Sequence, residues 1–436
     1  MKLSELLNNV KIKETYNFDD CLITGVHYNS AKIQKGNIFV AIKGFQTDGH
    51  KYIPSAEQNG AAAVICQQYC PDCTLPQIVV EDSRIAEAQV SANYFGNPSS
   101  KFKLIGITGT NGKTTCTFLV KTILESAGFK VGLIGTNQNM IGDEVFETGR
   151  TTPDSFELQK LFYDMAQAEV DYVVMEVSSH ALELNRVYGC KFAVGAFTNL
   201  TQDHLDFHGT MEAYAKAKSK LFEISEHAVV NADDSWGAQL AAQFGAKGYG
   251  IDSTCRLQAH NIAFIQNGVS FHLDGVLYTL DIPGRFSVYN ALCAIGICIE
   301  CGVDTAVIQR ALAGAAGVKG RVVILFGCGG DRDNTKRPIM GKIAGELADF
   351  CIVTSDNPRS EDPMSIISMI EPAVKQTGTP YVVIENRKQA IHYALDNAQS
   401  GDVIVLAGKG HETYQILNSG TIHFDEREIV KSHLTK

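Results

Sequence analysis

The chain has 436 residues, 45% of them hydrophobic and 20% charged, a length and balance that require two to four packed domains and exclude a disordered or fibrous protein. A formal net charge of −10 excludes a general polyanion binder, so anionic ligands must be met by local basic groups. No stretch approaches the roughly 20 apolar residues that cross a bilayer, and the charged N-terminus is no secretory leader. The expected setting is the cytoplasm, where the 12 cysteines stay reduced.

Residues 1–98 read as a small α/β domain. A strand over 37–42 leads to the loop Asp48-Gly49-His50 and a helix over 53–59. Strands over 62–66 and 77–80 and a helix over 83–95 follow, closed by Gly96-Asn97-Pro98. The pair Cys70 and Cys73 has metal or redox spacing but no second half, and a structural role is expected.

From 99 to 318, apolar runs at 104–108, 131–135, 172–177 and 194–200 alternate with helical segments, the clearest at 113–127. Such alternation predicts a mostly parallel sheet covered by helices. Around 257–282 the period becomes two, and Asn267-Gly268 and Asp274-Gly275 predict hairpin turns; a helix over 287–300 follows. Residues 319–436 return to alternation, with strands over 322–326, 350–354, 381–384 and 403–407 and helices over 339–347, 365–375 and 388–397. The expected fold class is α/β in three domains: a small N-terminal domain, a central mononucleotide-binding domain and a C-terminal Rossmann-like domain. Cys328, inside a glycine run, is expected where the backbone must come close.

Gly109-Thr110-Asn111-Gly112-Lys113-Thr114-Thr115 follows a predicted strand and opens a helix, the setting of a phosphate-binding loop. Glycines let backbone N–H groups turn inward around phosphate oxygens, and the helix N-terminus adds partial positive charge. Lys113 is then placed to bridge the β- and γ-phosphates and Thr114 to set a hydroxyl on Mg²⁺. Ile107 stands where the strict spacing has its first glycine, so the setting carries the reading. Glu176 ends one predicted buried strand and His204 lies just past another, where strand tips meet a ligand crevice. Magnesium prefers oxygen, so a histidine ligand implies a second metal position.

Together with Thr151-Thr152-Pro153-Asp154, Glu176–His180, the 199–206 segment and Tyr214-Ala215-Lys216-Ala217-Lys218, this loop resembles the Mur ligase family. The resemblance implies that ATP phosphorylates the D-glutamyl γ-carboxylate of a UDP-N-acetylmuramoyl dipeptide. An amine then attacks the acyl-phosphate and phosphate leaves, in chemistry that rests on positioning and charge neutralisation. It implies catalytic roles for Lys113, Glu176, His204 and Lys218. Nucleotide contacts fall to Gly109, Thr110, Asn111, Gly112, Lys113, Thr114, Thr115 and Asn290. Two Mg²⁺ ions are implied on Thr114, Glu176, His204 and Lys218, the lysine being carbamylated so that it offers oxygen in place of a cation.

For the nucleotide-sugar, the resemblance points to Ser30 beside Asp48-Gly49-His50, and to Thr151, Thr152, Ser178 and Arg186. Asn29-Ser30-Ala31 stands where relatives show Asp-Ser-Arg, which removes one arginine from the uridine contacts. Gly329-Gly330-Asp331-Arg332, Asp356-Asn357-Pro358-Arg359 and Gly408-Lys409-Gly410-His411-Glu412 all follow predicted strand ends. Arg332 and Arg359 are expected to hold the distal carboxylate of meso-diaminopimelate and Glu412 its ammonium group, with Asp356, Asn357, Pro358 and Gly408 completing the site. L-lysine, the alternative amine, has no distal carboxylate and leaves Arg359 a buried unpaired charge. The implied partners are these two substrates, without nucleic acid or membrane, and the chain is expected to be a monomer.

One segment of the pattern is absent. Relatives carry Gly-Arg-x-Glu, then an Asp-Tyr-Ala-His-x-Pro strand end that touches ATP, then a helix. Here Ala315-Ala316-Gly317-Val318-Lys319-Gly320-Arg321 runs straight into 322–326. About one strand-plus-helix unit is missing near 320, and the C-terminal sheet is expected to lose an interior strand. A catalytically impaired nucleotide-sugar-binding homologue is the alternative that this loss raises. A ligase like folylpolyglutamate synthetase is disfavoured by residues 1–98 and by Asp356–Arg359.

Overall fold

In the computed structural model of the chain, residues 45–46, 147, 266–267, 316–320, 400–401, 411 and 435–436 are left undescribed. Asn267, His411 and the expected boundary at 318/319 lie outside the described residues. The chain divides into two compact units, Met1–Ala315 and Ala316–Lys436.

The first unit holds separate sheets. In the N-terminal one, the strand order is Ile12–Tyr16, Gln77–Val80, Ala63–Cys66, Asn37–Val40, Gly25–His27, all parallel except the first. Alternate residues feed two cores: Ile38, Val40 and Ile65 on one face, Phe39, Val64 and Cys66 on the other. Every strand position from 37 to 40 and from 63 to 66 is consequently buried. All the cysteines are free, and burial pushes the Cys66 thiol up to about 12 and that of Cys73 up to about 11. Cys73 therefore packs rather than reacts.

A nine-stranded sheet follows. Leu257–Gln258, Lys247–Gly250, Ser225–Asn231, Phe192–Phe197, Lys103–Thr108, Tyr172–Glu176 and Val131–Ile134 run parallel, and Asn139–Ile141 and Glu144–Phe146 add an antiparallel margin. Lys103–Thr108 is central, and the chain passes to one side of it before crossing to the other. This reversal opens a crevice at the carboxyl ends of Lys103–Thr108 and its neighbours. The helix Lys113–Ser126 packs behind it because Cys116, Leu119, Val120, Ile123 and Leu124 repeat at helical spacing on one buried stripe. A second helix, Arg285–Glu300, is buried at every residue from Ala291 to Cys298, so it runs through the core and brings Asn290 to the loop before Lys113. The period-two region forms a three-stranded antiparallel sheet, His260–Ile265, Gly268–Leu273, Val276–Leu280.

The second unit is a four-stranded parallel sheet ordered Tyr381–Val383, Phe350–Val353, Val322–Phe326, Val403–Leu406, with the hairpin Tyr414–Leu417/Gly420–His423 beside it. Lys336–Leu347 and Pro363–Gln376 cover one face; Arg387–Asp396 and Glu426–Leu434 cover the other. Cys328 is buried, its sulfur 3.6 Å from Met340 Sδ. Val322–Phe326 pairs directly with strands on both sides, so the sheet of this chain has no interior gap. The two edge strands are Tyr381–Val383 and Val403–Leu406. Register aligns Val405 with Ile324, on the face of Lys336–Leu347. There Val403 and Val405 are each 39% exposed, and Ile339, Ile343 and Leu347 form an uncovered apolar stripe on that helix.

Candidate functional site

Gly109 has φ 146, and a Cβ there would lie 1.9 Å from Thr198 Oγ1, so only glycine lets the loop turn against the neighbouring strand end. At Gly112 a Cβ would meet Asn290 Oδ1 at 2.5 Å, which places the asparagine against the loop backbone. Asn290 also receives the Cys116 thiol at 3.5 Å. The loop is tied across the crevice: Thr110 N donates to Asn199 O, Asn111 N to Asn199 Oδ1, and Thr198 Oγ1 to Asn111 O.

Two lysines share one acceptor. Lys113 Nζ donates to Gly109 O at 3.1 Å and to Thr110 O at 2.9 Å; Lys218 Nζ donates to the same Gly109 O at 2.8 Å. Burial lowers both pKa values. Lys218, buried on the helix Met211–Glu223 beside the Tyr214 ring, falls well below the lysine range, through burial first and Lys113 second. Asp203 opposes both shifts. Its neighbour His204 is half exposed, with a left-handed backbone, and its ring contacts Tyr214 and His180.

On the other side of Lys113, Glu176 is 1% exposed. Its Oε1 accepts from Thr114 Oγ1 and from Thr136 N, each at 2.9 Å, and its Oε2 from Thr136 Oγ1 at 2.9 Å. Hard oxygen donors thus meet beside the loop, the donor set that suits magnesium. Among the described residues no three His, Cys, Asp or Glu side chains are grouped as a metal cage. The lysine at 218 suits a cation only if its nitrogen carries an acid group.

The next strand end leads to a cavity of about 590 Å³, lined by Tyr28, Asn29, Ser30 and Gly49 from the N-terminal sheet and by Asp154 and Arg186 from the central one. Thr152 Oγ1 donates to Glu176 O and accepts from Ser178 N; Ser178 Oγ caps the following helix through Ala181 N. Thr151 Oγ1 lies within hydrogen-bond distance, 3.0 Å, of Thr136 Oγ1. Arg186 donates Nη1 to Thr152 O and Nε to Asp154 Oδ1, and Arg150 and Tyr28 also converge on Asp154. In the adjoining loop Gln67 N donates to His50 Nε2, which leaves Nδ1 to carry the proton toward Asp48 Oδ1 at 2.7 Å.

In the second unit, Asn357 is the hub. Its Nδ2 donates to Glu412 Oε2 at 2.9 Å, and its Oδ1 accepts from Lys409 Nζ and Ile416 N, both at 2.9 Å. Lys409, fully buried, also lies 3.3 Å from Asp356 Oδ1 and 3.5 Å from Glu412 Oε2. Gly408 lies against the Asp356 carboxylate. Arg359 follows Pro358 with φ 54, and its Nη1 donates to Gly330 O at 2.6 Å. Arg332 is exposed near Gly329. The strand ends thus gather the three expected motifs, while Glu412 is already engaged by an amide and a lysine. Lys409, Asp154, Thr136 and Asp203 are the members that the sequence reading did not single out. Asp154, Asp203 and Lys409 lay inside quoted motifs, and for Asp154 and Lys409 burial was the missing signal.

This loop, crevice and three-part α/β architecture match known protein families along most of the chain. Residues 22–94 match the Mur ligase family catalytic domain, 107–298 the Mur ligase middle domain, and 284–410 the Mur ligase glutamate ligase domain. The chain belongs to the Mur ligase family.

Among its relatives are the UDP-N-acetylmuramoyl-L-alanyl-D-glutamate–2,6-diaminopimelate ligases of Clostridium botulinum and Caldanaerobacter subterraneus subsp. tengcongensis. The first is 46% identical over 460 residues, covering 94% of both chains. The second is 47% identical over 484, covering 100% of this chain and 99% of the relative. A solved structure of a ligase of that name superposes with a TM-score of 0.69 at 28% identity, over 100% of this chain and 99% of the other. A MurF ligase from Thermotoga maritima, solved with ADP, shares the fold at a TM-score of 0.56 and 16% identity, over 96% of this chain and 99% of its own. The Caldanaerobacter alignment spans 484 positions against the 436 residues here, so a few dozen residues of that relative have no counterpart in this chain. Among the described residues, no helix is long and apolar enough to cross a membrane.

Proposed function

We propose that the chain is an ATP-dependent ligase that joins meso-diaminopimelate to the D-glutamyl γ-carboxylate of UDP-N-acetylmuramoyl-L-alanyl-D-glutamate, in peptidoglycan precursor synthesis in the cytoplasm. The observation that carries the reading is the Gly109–Thr114 loop, with Lys113 between the Glu176 carboxylate and the buried Lys218 amine. Lys113 and the loop N–H groups hold the triphosphate and orient its terminal phosphoryl group toward the substrate carboxylate. The γ-carboxylate oxygen attacks phosphorus, ADP leaves, and the acyl-phosphate then accepts the amine and releases phosphate.

Magnesium, when bound, neutralises the charge on the transferring phosphoryl group; Thr114 and Glu176 would hold one ion, with His204 and Lys218 serving a second. Burial and Lys113 both favour the uncharged Lys218 amine, the form that attacks CO₂ and loses a proton to become a carbamate. That anion replaces repulsion of Lys113 by attraction and supplies oxygen. Arg186, Thr151, Thr152 and Ser178, with Ser30 across the cavity, position the nucleotide-sugar, and Asn290 contacts the adenine.

Arg359, Arg332 and Asn357 select the amino acid. Phosphate release in the presence of the UDP-muramoyl dipeptide should depend on diaminopimelate and be weak with L-lysine. Equal rates with lysine would overturn the choice of amine, and release with neither, despite nucleotide binding, would favour the impaired homologue. Arg359→Ala should lower kcat/KM for diaminopimelate by about 2 kcal/mol or more, roughly 30-fold, with little change in KM for ATP. Equal losses for both substrates would mean that the amine pocket lies elsewhere.

A further inference from the structure

Glu87 lines the substrate cavity from the helix Ser83–Tyr94, and no role given above uses it. It is 5% exposed, and its Oε1 is buried without a hydrogen-bond partner. The charged groups around it are committed elsewhere. Arg186 serves Asp154 and Thr152 O, Arg150 and Tyr28 serve Asp154, and Arg84 Nη2 reaches Lys43 O at 3.4 Å. Asp154 and Glu157 add negative charge from the segment that begins the helix Ser155–Gln167. One carboxylate of the cavity therefore collects three donors and the other none.

An ionised Glu87 would be a buried, unpaired charge facing a second carboxylate, which is strongly unfavourable. Burial first, and Asp154 second, push its pKa up to about 8, against the weaker pull of Arg84 and Arg186. As a neutral acid, Glu87 carries an O–H whose acceptor must come from outside the protein.

We propose that Glu87 binds the nucleotide-sugar as a neutral acid, donating its O–H to an acceptor oxygen of that ligand, so that occupancy of this cavity is linked to a proton. The proposal deepens the substrate assignment made above and rests on it. The sign follows from the form that binds. Affinity is level while Glu87 is protonated and falls once it ionises, by about tenfold per pH unit well above its pKa. The ionised form loses the donor and also repels the ligand's phosphates and carboxylates.

The test is calorimetric titration of the full chain with UDP-N-acetylmuramoyl-L-alanyl-D-glutamate, and separately with UDP, from about pH 6 to pH 9. Wild type should bind the dipeptide ligand with constant affinity at the acid end and several-fold more weakly at the alkaline end. Glu87→Gln keeps an N–H donor and cannot ionise, so its affinity should stay level. Glu87→Leu should bind more weakly throughout, also without pH dependence. A fall with UDP as well places the acceptor on the nucleotide; a fall with the dipeptide ligand alone places it on the sugar-peptide part. A level wild-type profile, or a Glu87→Gln profile that falls like wild type, overturns the proposal. Wild type binding neither ligand at any pH would instead remove the substrate assignment, and the proposal with it.

Discussion

Replacing Lys113 with alanine is expected to abolish ATP-dependent phosphate release, with a loss of at least about 10²–10³-fold, the scale of removing one preorganised charge from an active site. The side chain is held against Gly109 O and Thr110 O in the free loop, so it must swing from these carbonyls to reach phosphate oxygens. Its removal leaves the turn intact, because the glycine backbone and the ties to Asn199 and Thr198 do not involve the ammonium group. Circular dichroism and melting temperature should therefore stay near wild type while turnover disappears. An unchanged rate would remove the central assignment of the site. Lys113→Arg is a sharper control: it keeps the charge, but its planar fork differs in shape from an ammonium, so partial activity at most is expected.

Lys218→Ala should be nearly as damaging, by about 10²-fold or more, for a different reason. In the protein as folded, two lysine nitrogens donate to one carbonyl, and burial with Lys113 lowers the Lys218 pKa. The alanine variant removes the side chain and, with it, the carbamate that the amine forms. Added short carboxylates should restore part of the rate by lodging in the space left. In wild type, buffers stripped of CO₂ should lower activity reversibly, with recovery on adding bicarbonate. A Lys218→Ala enzyme of full activity, or one that no carboxylate rescues together with a wild type indifferent to CO₂, excludes the carbamate.

The phosphate loop and its strand were legible because the signal is local: an apolar run, a glycine turn and a helical stripe lie within some twenty residues of sequence. The same holds for Val322–Phe326 and Gln77–Val80, short strands rich in β-branched and apolar residues whose bounds match the expected ones. Ile12–Tyr16 was not legible. Its residues are mostly exposed and polar, and it is a strand only because Gln77–Val80 offers an edge to pair with. The hairpin Tyr414–Leu417/Gly420–His423 was missed because its two strands are short and the second opens on glycine and is wholly exposed. At the site, motif positions were visible but their partners were not. Nothing in the spelling of residues 151–154 reveals that Asp154 collects Tyr28, Arg150 and Arg186, because Tyr28 comes from another sheet. Likewise Glu87 reads as an ordinary helix-surface acid until the cavity wall is seen to enclose it.

The open margin of the C-terminal sheet changes what the missing stretch means. The hydrogen-bond ladder of this chain is continuous, so what the missing stretch removes from the folded unit is cover. Crossovers between parallel strands are right-handed, so a strand added beside Val403–Leu406 and leading into Val322–Phe326 would carry its helix on the face of Lys336–Leu347. That helix would roof Val403 and Val405 alongside Ile343 and Leu347. Without that roof the unit keeps its topology but presents a greasy ledge beside an open strand edge, the combination that makes copies of a protein adhere to one another.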